Sequence, residues 1–249
     1  MEAVNLSIKK EMCYERAQKL FFEISGLHKN GAKFDRMRAA AARMRELAED
    51  RINIRSKCNY YEDLVLNGST AVIGGQSFEC RAFEQIGAGQ VKGAYLYALT
   101  AGDFDFKNEN ITNRLYLDIW GTAFTDAARE LLEKELNDRD MISDEFGPGF
   151  YGMPVREMIK IDRLLKFEDI GVRFVDNKIL SPVKSCCGIY FRVTGDYKKL
   201  DSECLECQSS AKSCVLCKKN RSRTWGADCI DHIDSKSMQP GGTPGLLAK

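Results

Sequence analysis

Histidine is the scarcest ionisable residue in this chain: His28 and His232 are the only two in 249 residues. Neither lies beside a nucleophile motif, so a Ser–His or Cys–His mechanism has no signature here. The strings H-E-x-x-H, G-x-S-x-G and G-x-x-x-x-G-K followed by Ser or Thr are missing as well. Chemistry, where there is any, is therefore expected to be carried by a bound cofactor. Charge of one sign is also missing. Lys and Arg number 37 against 36 Asp and Glu, a formal net charge of +1. Bulk binding to DNA or RNA needs a cationic surplus to displace counterions, so no nucleic acid partner is expected. No apolar run approaches the roughly 18 residues that suggest a membrane span. The first ten residues lack the basic-then-apolar order of a secretory signal, so a cytoplasmic setting with reduced thiols is expected.

What is present describes an ordinary globular chain, 44% hydrophobic and 29% charged, long enough for a sizeable core in one or two domains. Ala17, Leu20, Phe21 and Ile24 recur at helical spacing. After a break at Gly26 and residues 28–31, Phe34, Met37, Ala41, Met44 and Ala48 do the same. Arg36, Arg38, Arg43 and Arg45 flank this second stripe and are balanced by Glu46, Glu49 and Asp50. A solvated flank is favoured over a docking helix. Segments 63–66, 71–73 and 94–99, β-branched or aromatic and separated by glycines, read as strands. Residues 87–93 miss the G-x-G-x-x-G spacing and precede a strand, so they are not read as a dinucleotide loop. The clearest helix covers 112–136, where Leu115, Ile119, Ala123, Ala127 and Leu131 step by four. Trp120, Phe124, Ala128 and Leu132 widen its apolar face, and Gly121 leaves room for close approach of another element. A glycine- and proline-bearing loop at 146–154 follows. Then come a helix through Met158, Ile161, Leu164 and Leu165, and strands at 172–175 and 187–193. The expected fold class is α+β. The expected organisation is a helical region at 1–62, an α+β domain at 63–196, a cysteine-rich appendage at 197–230 and a flexible tail at 231–249.

Cysteine is abundant, with ten in the chain. Cys204, Cys207, Cys214 and Cys217 form C-x2-C-x6-C-x2-C. Each C-x2-C pair brings two thiolates to one side of a tight turn, and two such turns close a four-sulfur site for zinc. The same donors suit a 4Fe–4S cluster. The six-residue spacer is shorter than the roughly 15–20 residues of a zinc ribbon, yet compact zinc loops exist, so both metals stay open. Zinc would be structural, whereas a cluster could pass electrons. Lys212, Lys218, Lys219, Arg221 and Arg223 offset the thiolate charge in either case. Cys229 and His232 read as tail sequence rather than a second site. Adjacent Cys186 and Cys187 read as buried small hydrophobes in a strand. Cys13, Cys58 and Cys80 have no role assigned by spacing.

Three segments carry a family resemblance. They are Glu145-Phe146-Gly147-Pro148-Gly149-Phe150-Tyr151-Gly152-Met153-Pro154, then Ile170-Gly171-Val172, then Ser181-Pro182-Val183-Lys184-Ser185-Cys186-Cys187-Gly188-Ile189-Tyr190-Phe191. Their order and spacing resemble the activation (reactivation) domain of cobalamin-dependent methionine synthase and its stand-alone relatives. That family has R-x-x-P-G-Y with a later proline, a helix, an Ile-Gly strand and an S-V-S-G-x-Y-F strand. The match covers residues 144–193, with a looser likeness back to residue 90, and the cysteine appendage lies outside it.

The resemblance implies a curved domain around a twisted antiparallel sheet that binds S-adenosylmethionine. It implies docking over a corrinoid (cobalamin) held by a corrinoid-binding protein or methyltransferase subunit, where Co(II) is rescued by reduction coupled to methyl transfer. It places Glu145, Gly147, Pro148, Gly149, Phe150, Tyr151, Tyr190 and Asp126 at the ligand site. Gly147 would contact the nucleoside through its backbone and Tyr190 would face the ligand. Asp126 and Glu130 would be the acidic residues of the long helix. Two departures count against S-adenosylmethionine. Glu145 stands where the motif has arginine, which repels an amino acid carboxylate and removes the bidentate pairing. Phe150 stands where the motif has tyrosine, with Tyr151 next to it. Three readings follow. The first is an accessory protein that helps reduce or reactivate a corrinoid cobalt. The second is an S-adenosylmethionine-dependent reactivase or methyltransferase with rearranged anchors. The third is a non-catalytic, zinc-stapled binding subunit that docks through the arginine-flanked helix or the basic appendage.

Overall fold

A computed structural model describes residues 1–27, 31–104, 106–107, 109–176, 179–195 and 197–200. The four-cysteine motif, Cys229, both histidines and the tail lie outside the described residues. In chain order the elements are β1 (Glu2–Ala3), α1 (Lys10–Ser25), α2 (Ala32–Glu49), β2 (Arg55–Tyr61), β3 (Leu64–Asn67), β4 (Thr70–Ile73) and β5 (Gln76–Glu79). They continue with β6 (Val91–Thr100), α3 (Ile111–Asn137), α4 (Met158–Leu165), β7 (Arg173–Val175), β8 (Ile179–Ser181) and β9 (Ser185–Val193). This is the expected α+β class, with every strand pairing antiparallel. No described helix is long and apolar enough to cross a membrane.

The central sheet has the order β1-β2-β6-β9, and β3-β4-β5 form a separate meander. Strands from before residue 62 thus pair into the same sheet as strands from after it. Successive side chains of β6 point to opposite faces, and both faces are covered. Tyr95, Tyr97 and Leu99 join a core with α1, α2 and α3. Ala94, Leu96 and Ala98 join a second core with the meander and α4. Burial on both faces explains why β6 reads as a continuous apolar run rather than an alternating one.

The helical layer packs through aromatic rings. Trp120 of α3 stacks on Phe21 of α1 with centroids 4.0 Å apart and planes at 13°. Its Nε1–H donates to the Ala41 carbonyl of α2 at 3.0 Å. Arg16 of α1 donates to both carboxylate oxygens of Glu130 at 2.5 and 2.8 Å. At Gly121 the expected close approach is present: a Cβ there would lie 3.0 Å from the Lys184 stem and from the Phe104 ring. Lys184 runs on to Asp118 at 2.6 Å and Thr122 at 2.9 Å, which ties the segment before β9 to α3.

On the opposite side the carboxylate of Glu157, fully buried, accepts from the Glu79 N–H of β5 at 3.2 Å and from Lys160 Nζ at 2.8 Å. A buried carboxylate needs such partners, and these join α4 to the meander. The free edge of β9 is covered by residues 141–146. Phe146 and Ile189 exchange hydrogen bonds of 2.9 and 3.0 Å, Ser143 N–H donates to Phe191 O at 2.9 Å, and Val193 N–H donates to Met141 O at 2.8 Å. This pairing brings the 146–154 loop to the sheet's edge and delivers Glu145 to the helical face.

Candidate functional site

Glu145 ends between β6, β9 and α3. One carboxylate oxygen accepts from the Tyr97 hydroxyl of β6, and the other pairs with Arg129 Nη1 of α3. Neither side chain is more than about one quarter exposed, with 27% for Arg129 and 20% for Glu145. Burial raises the Glu145 pKa, and Arg129 and Tyr97 pull against that rise. For Arg129 burial opposes the charge, but Glu145, helped by Asp126, holds its pKa above the ordinary value. Asp126 is itself raised, by burial first and against the pull of Arg129.

Tyr190 of β9 stacks obliquely on Tyr97, with centroids 5.6 Å apart and planes at 32°. Its side chain is fully buried, and its hydroxyl has no hydrogen-bond partner among the described residues. Burial first, and then nearby Glu145, push its ionisation well up. A buried hydroxyl without a partner is a costly arrangement that asks for an explanation.

The loop after Glu145 is shaped by its glycines. Gly188 faces Tyr97 across the β6–β9 pairing. A Cβ on Gly188 would sit 2.9 Å from the Tyr97 ring, 3.3 Å from Phe146 O and 3.4 Å from Glu145 Oε1. A Cβ on Gly147 would lie 3.4 Å from the Phe150 ring and 3.9 Å from Glu145 Oε1. These two positions leave the carboxylate room. Phe150 N–H donates to Gly147 O at 2.9 Å, and Gly149 and Met153 bond across the turn at 2.9 Å. Pro148 lies inside this tight turn, and Gly149 takes a φ of 95° that a side chain would strain.

Phe150 and Tyr151 go opposite ways. Phe150 is 54% exposed. Tyr151 is buried, adopts φ 54°, and its carbonyl accepts from Ala82 N–H at 3.1 Å and Cys80 Sγ at 3.2 Å. Its hydroxyl faces Asp144 at 3.5 Å. The neighbouring tyrosine therefore anchors the loop from inside instead of replacing the hydroxyl that Phe150 lacks. Asp144 also fastens the end of the described chain: its Oδ2 accepts from the Tyr197 hydroxyl at 2.6 Å and from Leu200 N–H at 2.9 Å.

Of the residues singled out by sequence, Glu145, Gly147 and Tyr190 converge with Asp126 around one point, while Pro148, Gly149, Phe150 and Tyr151 shape the loop over it. Arg129, Tyr97 and Gly188 were not legible as site residues. The available signal for Arg129 was its place three residues after Asp126, on the same helical face. The four motif cysteines lie outside the described residues, and no group of His, Cys, Asp or Glu suited to a metal occurs among the described residues.

The five described cysteines are thiols, Cys80 among them at 1% exposure, and burial raises the pKa of Cys13 to about 11 and of Cys58 and Cys186 to about 12. Cys187 is likewise pushed up by burial. The thiolate is the reactive form. At about pH 7 these thiols are expected to react with an aromatic disulfide reagent at least roughly 100-fold more slowly than free cysteine. Stopped-flow counting checks this: no more than five of the ten cysteines should react fast before denaturation, and six or more would contradict it.

No family model matches the chain, and no curated protein does either. Among solved structures it is similar to the crystal structure of the MetH reactivation domain bound to AdoHcy. The TM-score is 0.56 at 15% identity, over 79% of this chain and 80% of that one. At this identity the likeness shows a shared fold.

Proposed function

We propose that this chain is an accessory protein of corrinoid-dependent methyl transfer. It docks on a corrinoid-binding protein or methyltransferase subunit and helps return its cobalt to the reduced state. The observation that carries the reading is the fold shared with a reactivation domain over about four fifths of both chains. The 146–154 loop, with exposed Phe150, and the buried Tyr190 hydroxyl form the face toward ligand and partner. Cys204, Cys207, Cys214 and Cys217 would hold a metal in the 197–230 appendage, ahead of the 231–249 tail. Four soft thiolates fit zinc or a 4Fe–4S cluster. A cluster there would supply single electrons for cobalt reduction, and zinc would brace the appendage.

The test uses the full chain purified without oxygen. Iron with a broad visible absorption that bleaches on reduction is the expected result. Mixing the reduced protein, freed of excess reductant, with a corrinoid protein in its Co(II) form should then diminish the Co(II) absorbance as each cluster gives up one electron. Zinc without iron removes the electron-carrying part of the role and leaves the zinc-stapled binding subunit. Unchanged cobalt together with no co-migration overturns the reading.

A further inference from the structure

We propose that Arg129 and Tyr97 form a carboxylate-binding cradle which this chain fills with its own Glu145. A ligand at this face is then recognised without a carboxylate of its own. The ligand-class half rests on the reading of this face as a ligand site; the cradle itself does not.

The two donors stand on rigid elements. Tyr97 lies in the middle of β6, buried from both sides, and Arg129 lies in the buried half of the 27-residue α3. Glu145 arrives from a connecting segment. The donors are therefore preorganised by the sheet and the helix, and the carboxylate is the component supplied to them. Each of its oxygens takes a separate donor, Tyr97 on one and Arg129 on the other. Charge-assisted bonds of this kind are the strong ones. The space around the carboxylate is kept clear by Gly188, where a Cβ would crowd the Tyr97 ring at 2.9 Å and Phe146 O at 3.3 Å.

With Glu145 in place, a second carboxylate is excluded electrostatically. Arg129 is the cation that pairs with Glu145, while Asp126 and Glu133 add negative charge around the pair and Lys184 and Arg16 act on Asp126. A further anion would meet like charge at close range in a half-buried setting, where such repulsion is large. The Tyr190 hydroxyl, buried beside the pair, donates no hydrogen bond to Glu145. The ligand class that fits is neutral or cationic and carboxylate-free. This inverts the expectation from the motif, in which a cation stands at position 145 and awaits an external anion.

The test is chemical rescue. Glu145→Ala empties the cradle and leaves Arg129 exposed to an outside anion. Acetate should raise the melting midpoint of Glu145→Ala by roughly 3 °C or more beyond sodium chloride at equal ionic strength. The unaltered protein and Glu145→Gln, whose amide still fills the cradle, should show no such difference. Equal responses to acetate and chloride in Glu145→Ala overturn the proposal. Should that variant fail to fold on its own, its refolding yield in acetate against chloride reads the same contrast. A second arm measures AdoHcy by calorimetry. A gain of roughly tenfold or more in Glu145→Ala over the unaltered chain supports the ligand-class half. Acetate rescue without any AdoHcy gain rejects that half, and with it the ligand-face reading, while the cradle stands.

Discussion

Trp120→Ala is expected to lower the folding free energy by about 4 kcal/mol, in the middle of the range for emptying a large aromatic site. The indole is 3% exposed and lies where all three helices of the layer meet. Its stacking on Phe21 holds α1 against α3, and its tilted contact with Phe124, 6.2 Å between centroids, continues the seam. Its Nε1–H gives the Ala41 carbonyl of α2 a second donor, so the truncation opens a cavity and also removes an interhelical hydrogen bond. Urea unfolding should show a lower midpoint at unchanged slope, which marks a stability change rather than a change of mechanism. Trp120→Phe should recover most of the loss, because the ring still fills the seam while the hydrogen bond is gone. A loss under about 1 kcal/mol for alanine would place this indole outside the structural core.

Arg129→Ala has the second large effect, about 3 kcal/mol near neutral pH, because removing one partner leaves the other charge buried. The loss should depend on pH in a stated direction. Burial already raises the folded-state pKa of Glu145, and Arg129 is the strongest influence opposing it. Without Arg129 the folded-state pKa rises further above the unfolded value of about 4.3. The deficit is then smallest below that unfolded value and deepens as pH rises through the folded one. Unfolding free energies at intervals from acid to neutral pH check the slope. A deficit that does not change with pH would assign the loss to packing alone. Adding Glu145→Gln to Arg129→Ala should remove most of the pH dependence, since no buried carboxylate remains to titrate.

These two sites differ in how far they could be read from the chain. Trp120 falls in a stripe with Phe124, Ala128 and Leu132, and helical periodicity alone assigns it to the core. The same periodicity delivers α1, α2 and α4. Strand β2 was not legible, because Arg55-Ser56-Lys57-Cys58-Asn59-Tyr60-Tyr61 has no two-residue alternation; its burial comes from lying between β1 and β6. Strands β5 and β8 were missed because three or four residues carry too little pattern. The Arg129–Glu145 pair was hidden for a different reason. The two residues are 16 apart in sequence, and only the edge pairing of residues 141–146 on β9 brings them together. Motif comparison flagged Glu145 as an anomaly in the loop, and the compensating arginine sits on another element.

The grip of Asp144 on Tyr197 and Leu200 acts as a leash. Only three residues separate Leu200 from Cys204, and an extended chain covers at most about 3.6 Å per residue. Whatever path the chain follows, the Cα of Cys204 can lie no more than about 14 Å from that of Leu200. A metal centre assembled on that motif would meet this face as an intramolecular neighbour, at an effective concentration set by tether length and not by diffusion. Asp144 therefore does for the appendage what a covalent linker does for two joined modules.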